Sequence, residues 1–274
     1  MRANHSLERI RQGKLALGTW LQLQSLPGAR LLASQGCFDW LMLDMEHSPI
    51  DMSTASAILS SIADVTRGRC TPLARLGSGT IDQIKHALDA GAQGVLVPMV
   101  NTAREAAEAV SYARFPPQGV RGGGGMTPHL GFATTRFEYT QRANAEILVA
   151  IQIETRQAIE NLDSILEVPG LDVIFLGPTD LHISLGLPPY GWSDLPEFQQ
   201  AVEKFTTTCR RHKAVYGTLC STAAEVKERQ EEGYTFLGLG TDTNLLLTAA
   251  GRQYGELFSI PEPPETWAGV TRVE

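Results

Sequence analysis

One pattern limits what this chain can become more than any other. A short apolar run is followed by a longer amphipathic stretch, and the pair recurs eight times. The runs are Leu15–Trp20, Asp39–Asp44, Thr71–Leu76, Gly94–Val100, Ile147–Glu154, Asp172–Gly177, Ala214–Leu219 and Thr235–Gly240. They are almost continuously apolar, as expected of parallel strands covered on both faces. Between them lie helical patterns at Pro27–Gly36, Asp51–Ala63, Thr80–Ala90, Thr102–Arg114, Thr155–Glu167, Leu195–His212, Thr222–Glu232 and Asp242–Gly255. Thr102 with Glu105 three residues on has the form of a capping box. Eight β–α alternations point to an α/β fold of the (β/α)8 TIM-barrel type, with an open doubly wound sheet as the alternative.

No shift in composition divides the 274 residues, so the expected organisation is a single barrel domain over 1–274, with an N-terminal extension and a C-terminal helix and tail. Phe115–Thr135 breaks the rhythm, being rich in proline and glycine, and is expected to form an active-site loop. The tail Ile260–Glu274 is polar and proline-rich, expected to be loose or to pack on a neighbour. A net charge of −7 without any Lys/Arg cluster excludes a nucleic-acid surface. No apolar run reaches 18 residues, so no membrane span is expected, and Met1–Lys14 lacks the apolar region of a secretory signal. Cys37, Cys70, Cys209 and Cys220 form no CxxC pair and no zinc spacing. Cys37 and Cys70 are expected in the core, and reduced thiols fit a cytoplasmic protein.

In a barrel of this type, side chains at the carboxyl ends of the strands line the active site. Here those ends carry charge. The second run leads into Asp44, Glu46 and His47; the third carries Arg75; the fifth ends in Gln152 and Glu154; the sixth leads into Gly177-Pro178-Thr179-Asp180. Gln152 and Glu154 are two residues apart and share one face of their strand, either the barrel mouth or the helix layer. Glu154 reads as a metal ligand or catalytic acid, or else as the cap of the next helix. Asp180 reads as a ligand or as a helix cap. Two carboxylates without thiolates suit a hard dication such as Mg2+ or Mn2+. Arg75, in an apolar strand, calls for an anion: a substrate carboxylate, or a structural pairing with Asp44 or Glu46. His47, among acids, fits a general base. His5 and His212 are expected to be exposed, His86 to lie on a helix face, His129 in the long loop, and His182 at the surface or near the site. The four glycines of Gly122–Gly125 are not a phosphate loop, since no Gly-Lys-Ser/Thr follows; a mobile cover over the site is expected of them. Gly238-Leu-Gly-Thr-Asp is expected to serve close packing rather than anion binding.

Taken together, FDWLMLDMEHSP (38–49), LARL (73–76), IKHALDAGAQGVLVPMV (84–100), RFPPQGVRG (114–122), VAIQIETRQAIEN (149–161), FLGPTDLHISLG (175–186) and GLGTDTNLL (238–246) resemble the HpcH/HpaI family of class II pyruvate aldolases, co-linearly from about Gly18 to Gly255. The resemblance implies a divalent metal (Mg2+, Mn2+ or Co2+) held by Glu154 and Asp180. It implies pyruvate bound by Gln152 and Arg75 with help from the backbone at Thr179 and Asp180. It further implies His47 as base paired with Asp89, and Asp44 and Glu46 organising water around the site. The implied reaction is reversible cleavage of a 4-hydroxy-2-oxo acid of the 2-keto-3-deoxy sugar acid type to pyruvate and an aldehyde. The alternatives are an oxaloacetate decarboxylase or macrophomate-synthase-like enzyme using the same enolate, and, from a different class, a non-catalytic barrel that only binds. Family members assemble as hexamers, so a homo-oligomer is expected. Two departures stand out: Met45 where many bacterial members have glycine, and no arginine in Gly122–Thr135, where members acting on dicarboxylic semialdehydes carry arginines.

Overall fold

The computed structural model of the chain describes residues 1–124, 134–188 and 191–258. Eight parallel strands close into a barrel in chain order, β8 pairing back onto β1. They are β1 (Ala16–Leu21), β2 (Trp40–Asp44), β3 (Thr71–Arg75), β4 (Gly94–Val97), β5 (Leu148–Ile153), β6 (Val173–Leu176), β7 (Tyr216–Cys220) and β8 (Phe236–Thr241). The helices between them are α2 (Leu26–Ser34), α3 (Met52–Thr66), α4 (Ile81–Asp89), α5 (Ala103–Ala113), α6 (Arg136–Glu146), α7 (Arg156–Glu160), α8 (Leu162–Leu166), α9 (Pro178–Leu185), α10 (Pro196–Arg211) and α11 (Ala223–Glu231), preceded by α1 (His5–Arg11) and followed by α12 (Asp242–Phe258). Thr102 and Glu105 form the expected capping box on α5.

The strands are apolar throughout because they serve two cores. Leu41, Leu43, Ala74, Val149, Ile151 and Ile153 point outward to the helix layer. Their alternates Trp20, Trp40, Met42, Leu73, Leu148, Ala150, Phe175 and Phe236 fill the barrel. Trp40 stacks on Phe236 at a centroid distance of 4.7 Å. Gly18 makes room for it, since a Cβ there would sit 2.0 Å from the indole. Truncating Trp40 to alanine would cost roughly 3–5 kcal/mol by emptying that space.

The N-terminal extension folds into α1, which closes the lower, amino-terminal end of the barrel. Leu7 and Ile10 enter the interior cluster, and the buried Asn4 caps the helix while donating to the carbonyls of Gln93 and Glu146. The stretch after α5 also lies at this end. Arg114 bonds the carbonyl of Ile147 and the carboxylate of Asp172, both just before strands begin. Arg121 hydrogen-bonds Asp89 at the end of α4. The described part of the expected active-site loop, residues 115–124, is therefore at the far end from the carboxyl ends of the strands, which corrects that expectation; most of the glycine-rich remainder and His129 lie outside the described residues. Cys37 is exposed rather than in the core, whereas Cys70, Cys209 and Cys220 are buried. Among the described residues no helix is long and apolar enough to cross a membrane.

Candidate active site

At the upper end, the inward-facing rows of β2, β3 and β5 turn from apolar to polar. On β2 the row passes from Met42 to Asp44, on β3 from Leu73 to Arg75, and on β5 from Leu148 and Ala150 to Gln152 and then Glu154. Leu148, Ala150, Leu73 and Met42 all belong to the interior cluster, so the mouth of the barrel, not the helix layer, receives Gln152 and Glu154. The polar residues share this end because the strands are parallel and in register, Asp44 beside Arg75 and Gln152 beside Phe175. A cavity of about 310 Å3 opens there, lined by Arg75, Gln152, Thr179, Asp180 and His47 among others.

Asp44 is wholly buried and takes a bidentate pair from Arg75: Nε to Oδ1 at 3.0 Å and Nη2 to Oδ2 at 2.6 Å. Nη1 of Arg75 lies 3.2 Å from Glu46 Oε2, and the guanidinium rests 4.4 Å above the Trp20 ring. The structural pairing with Asp44 and Glu46 is thus present. Two of the five guanidinium N–H groups are hydrogen-bonded to Asp44 and Nη1 is ion-paired with Glu46, which leaves N–H groups for a ligand in the cavity. Burial opposes the Asp44 charge. Arg75, Gln22 and the backbone N–H of His47 outweigh it and hold the carboxyl below its ordinary range. Asp44 therefore fixes Arg75 and does not face the cavity.

Glu154 is buried as well. Its Oε1 accepts the backbone N–H of Met99 at 2.7 Å and its Oε2 accepts Nε2 of Gln152. Met99 adopts a left-handed φ of 56°, a costly conformation for a side-chain-bearing residue that aims its N–H at the carboxylate. Burial, with Asp180 and Glu46 adding to it, pushes the Glu154 carboxyl up to about 7 against the pull of Met99 and Arg75. Glu46 is raised for the same reasons, burial first. Glu154 does not cap the following helix; Thr155 does. Nor does Asp180 cap α9, whose cap is Gly177. Asp180 stands in the first turn of a helix that no side chain caps and whose first residue, Pro178, has no N–H, so the backbone N–H groups of Thr179 and Asp180 open towards the cavity. Gly177 admits the arrangement: a Cβ there would lie 2.4 Å from Glu154 Oε2 and 2.8 Å from Gln152 Nε2.

Several expected features differ. His47 lies at the cavity rim, its side chain 60% exposed and its Nε2 3.9 Å from Glu46 Oε2. Asp89 does not meet it within the chain, because α4 carries Asp89 to the opposite end of the barrel, where it accepts from Arg121 at 3.0 Å. His182 is neither surface nor site: it is fully buried, stacked on Phe198 at 3.9 Å and bonded to the Pro178 carbonyl and Ser193 Oγ. His5 and His212 are half-buried and pair with Asp39 and Asp163, while His86 is exposed on α4 as expected. Gly238 serves close packing between Leu219, Trp20 and Trp40, as expected.

The sequence pattern assigned no role to Gln22, Trp20 or Met99, and named Gly177 only as part of the turn before Asp180. Gln22 donates to Asp44 Oδ2 at 3.0 Å; it follows Trp20 by two on the inward row of β1, a spacing that would have found it. Met99 contributes only backbone, which leaves no trace in residue type.

Residues 17–249 match the family model described as HpcH/HpaI aldolase/citrate lyase. The chain belongs to the HpcH/HpaI aldolase/citrate lyase family. It is similar to the 4-hydroxy-2-oxo-heptane-1,7-dioate aldolase of Escherichia coli, with 39% identity over 241 residues, covering 88% of this chain and 90% of the relative. The Shigella flexneri protein of the same name is 39% identical over 254 residues, 92% of this chain and 93% of its own. Among solved structures, an HpcH/HpaI aldolase/citrate lyase family protein from Burkholderia cenocepacia J2315 superposes with a TM-score of 0.86 at 31% identity, covering 93% of this chain and all of that one. Macrophomate synthase shares the fold at a TM-score of 0.79 and 23% identity, over 93% of this chain and 90% of its own. This HpcH/HpaI family member is an enzyme of the pyruvate aldolase type, a carbon–carbon lyase.

Proposed function

We infer that the chain cleaves a 4-hydroxy-2-oxo acid to pyruvate and an aldehyde, reversibly, with a divalent cation held between Glu154 and Asp180. The observation that carries this is a cavity lined by Gln152, Asp180 and Arg75, with the buried Glu154 hydrogen-bonded to Gln152 and N–H groups of Arg75 left over from its pair with Asp44. The residues fit a cation. Asp180 and Glu46 crowd their charge against Glu154, Arg75 being the counter-charge that Glu46 and Glu154 share, and Oε1 of Gln152 is buried with no partner among the described residues. Among those residues no three His, Cys, Asp or Glu side chains converge on one point, so two carboxylates would hold the ion and leave its other positions to substrate and water. An all-oxygen set suits Mg2+, Mn2+ or Co2+ better than a thiophilic metal. When bound, the cation supplies a Lewis acid next to the keto group.

The protein's own groups account for the remainder. The N–H groups of Thr179 and Asp180 and the amide of Gln152 receive the pyruvate carboxylate. Arg75, held rigid by Asp44, Glu46 and Trp20, directs its free N–H groups at the oxygen where enolate charge develops. His47 takes the proton from the C4 hydroxyl; the C3–C4 bond breaks, its electron pair moves into the enolate, and an aldehyde leaves. A proton returned to C3 completes pyruvate. Among the described residues no lysine lines this cavity, and the scheme needs no Schiff base. Pyruvate release from racemic 4-hydroxy-2-oxo acids, with and without EDTA, tests the reading. Glu154→Ala should abolish metal-dependent turnover, and unchanged turnover would remove the proposed site.

The same reading includes a homo-oligomer, hexameric by family analogy, in the cytoplasm. On α12 only Gly251 and Gly255 are buried, while Leu246, Leu247, Tyr254, Leu257 and Phe258 are exposed, an apolar face that a second subunit would cover.

A further inference from the structure

The same cavity is also lined by Trp192, Leu219 and Phe175. Trp192 is held in place on several sides. The Arg229 guanidinium lies 4.1 Å over its indole, Phe198 and Tyr234 meet it edge-on at 5.9 and 6.2 Å, and the next residue, Ser193, bonds the buried His182. Arg229 is itself neutralised by Glu228 and by Glu232 at 2.7 Å. We propose that Trp192 is the specificity-determining wall of the aldehyde subsite and that it selects acceptors with an uncharged, apolar tail.

The charge inventory supports this. A dicarboxylic substrate would bring a second carboxylate to this wall, where it needs a cation or water once desolvated. Among the described residues, the basic side chains that line the cavity are those of Arg75 and His47. Arg75 is already shared by Asp44 and Glu46, and His47 sits beside Glu46. The Arg229 guanidinium packs on the Trp192 ring and is answered by two glutamates. An alkyl or aryl tail instead finds aromatic and aliphatic surface of its own kind. This sets the chain apart from the relatives named for a 1,7-dioate, and it rests on the aldolase reading above.

The test compares two substrates of equal carbon count, 4-hydroxy-2-oxoheptanoate and 4-hydroxy-2-oxo-heptane-1,7-dioate, with the Mn2+-loaded full chain. Pyruvate release gives kcat/KM, and deuterium exchange at the pyruvate methyl group reports enolisation without any aldehyde. The monocarboxylate should be preferred at least about tenfold. Trp192→Ala should raise KM for it and cut the preference severalfold relative to exchange, and Trp192→Phe should retain the preference. A wild-type enzyme that cleaves the dioate equally well or better overturns the proposal while leaving the aldolase reading intact. So does Trp192→Ala lowering both cleavages and exchange in parallel, which would mark a purely structural residue. Absence of both cleavage and exchange in the wild type would overturn the aldolase reading itself, and this proposal with it.

Discussion

Replacing Gly177 by alanine probes the site with one methyl group. The backbone there has φ −101° and ψ 92°, open to any residue, so the substitution introduces no torsional strain. What it introduces is contact: the new Cβ would stand 2.4 Å from Glu154 Oε2 and 2.8 Å from Gln152 Nε2, where ordinary contact begins at 3.4 Å. The carboxylate has to retreat by about 1 Å, and a displacement of that size at reacting groups costs on the order of 10²-fold in rate. It cannot retreat freely, because Oε1 is tied to the N–H of Met99. Overpacking should add about 1–3 kcal/mol of destabilisation, a fall of several degrees in Tm. Gly122→Ala, with nothing within 4 Å of its Cβ, serves as the control. The assay is metal-dependent pyruvate release with an Mn2+ titration, beside thermal unfolding. Gly177→Ala should lose roughly 10²-fold in kcat/KM and bind Mn2+ more weakly. Turnover and Mn2+ affinity within twofold of wild type would refute the placing of the carboxylate and the amide against this glycine.

Arg75→Lys keeps the charge but loses the bidentate fork on Asp44 and the stacking on Trp20; steady-state kinetics should show kcat down by about 10²–10³-fold, more than any change in KM. Asn4→Ala removes a helix cap and leaves the carbonyls of Gln93 and Glu146 short of a donor, so chemical denaturation should read a loss of about 2 kcal/mol with turnover retained. Glu154 has a folded pKa of about 7 against an ordinary 4.5. An acid raised in this way binds its proton more tightly when folded, so metal-free protein should lose stability as pH rises from about 4.5 to 7, by up to about 3 kcal/mol. Unfolding at stepped pH in EDTA should show that fall and Mn2+ should abolish it; a flat profile in EDTA would contradict the burial of the carboxylate. The exposed face of α12 predicts an oligomer by light scattering, and a monomeric mass would contradict it.

The strand runs could be read from the residues because parallel barrel strands are apolar on both faces, and the eight predicted runs coincide with the eight observed strands to within three residues at either end. The α1 helix was passed over: it is short, and its stability comes from Leu7 and Ile10 entering the barrel rather than from a periodic face of its own. The break at Asn161, which splits one predicted helix into α7 and α8, carries no glycine or proline to signal it. The polar strand ends were legible for a plain reason: in an interior row of Leu, Ala and Met, a Gln, Glu, Asp or Arg is tolerated where burial is offset by a partner or a ligand.

Residue types and their spacing therefore determined the barrel and the side chains that stand at its mouth, since periodicity is a property of the chain alone. Which of those side chains meet was decided by closure and packing, which pair residues far apart in the sequence. Closure fixed Arg75 to Asp44, brought the Met99 N–H to Glu154, set Gly177 against both Glu154 and Gln152, and carried Asp89 to the other end from His47. Contacts of that kind depend on distances across the barrel, and such distances exist only once the last strand has joined the first.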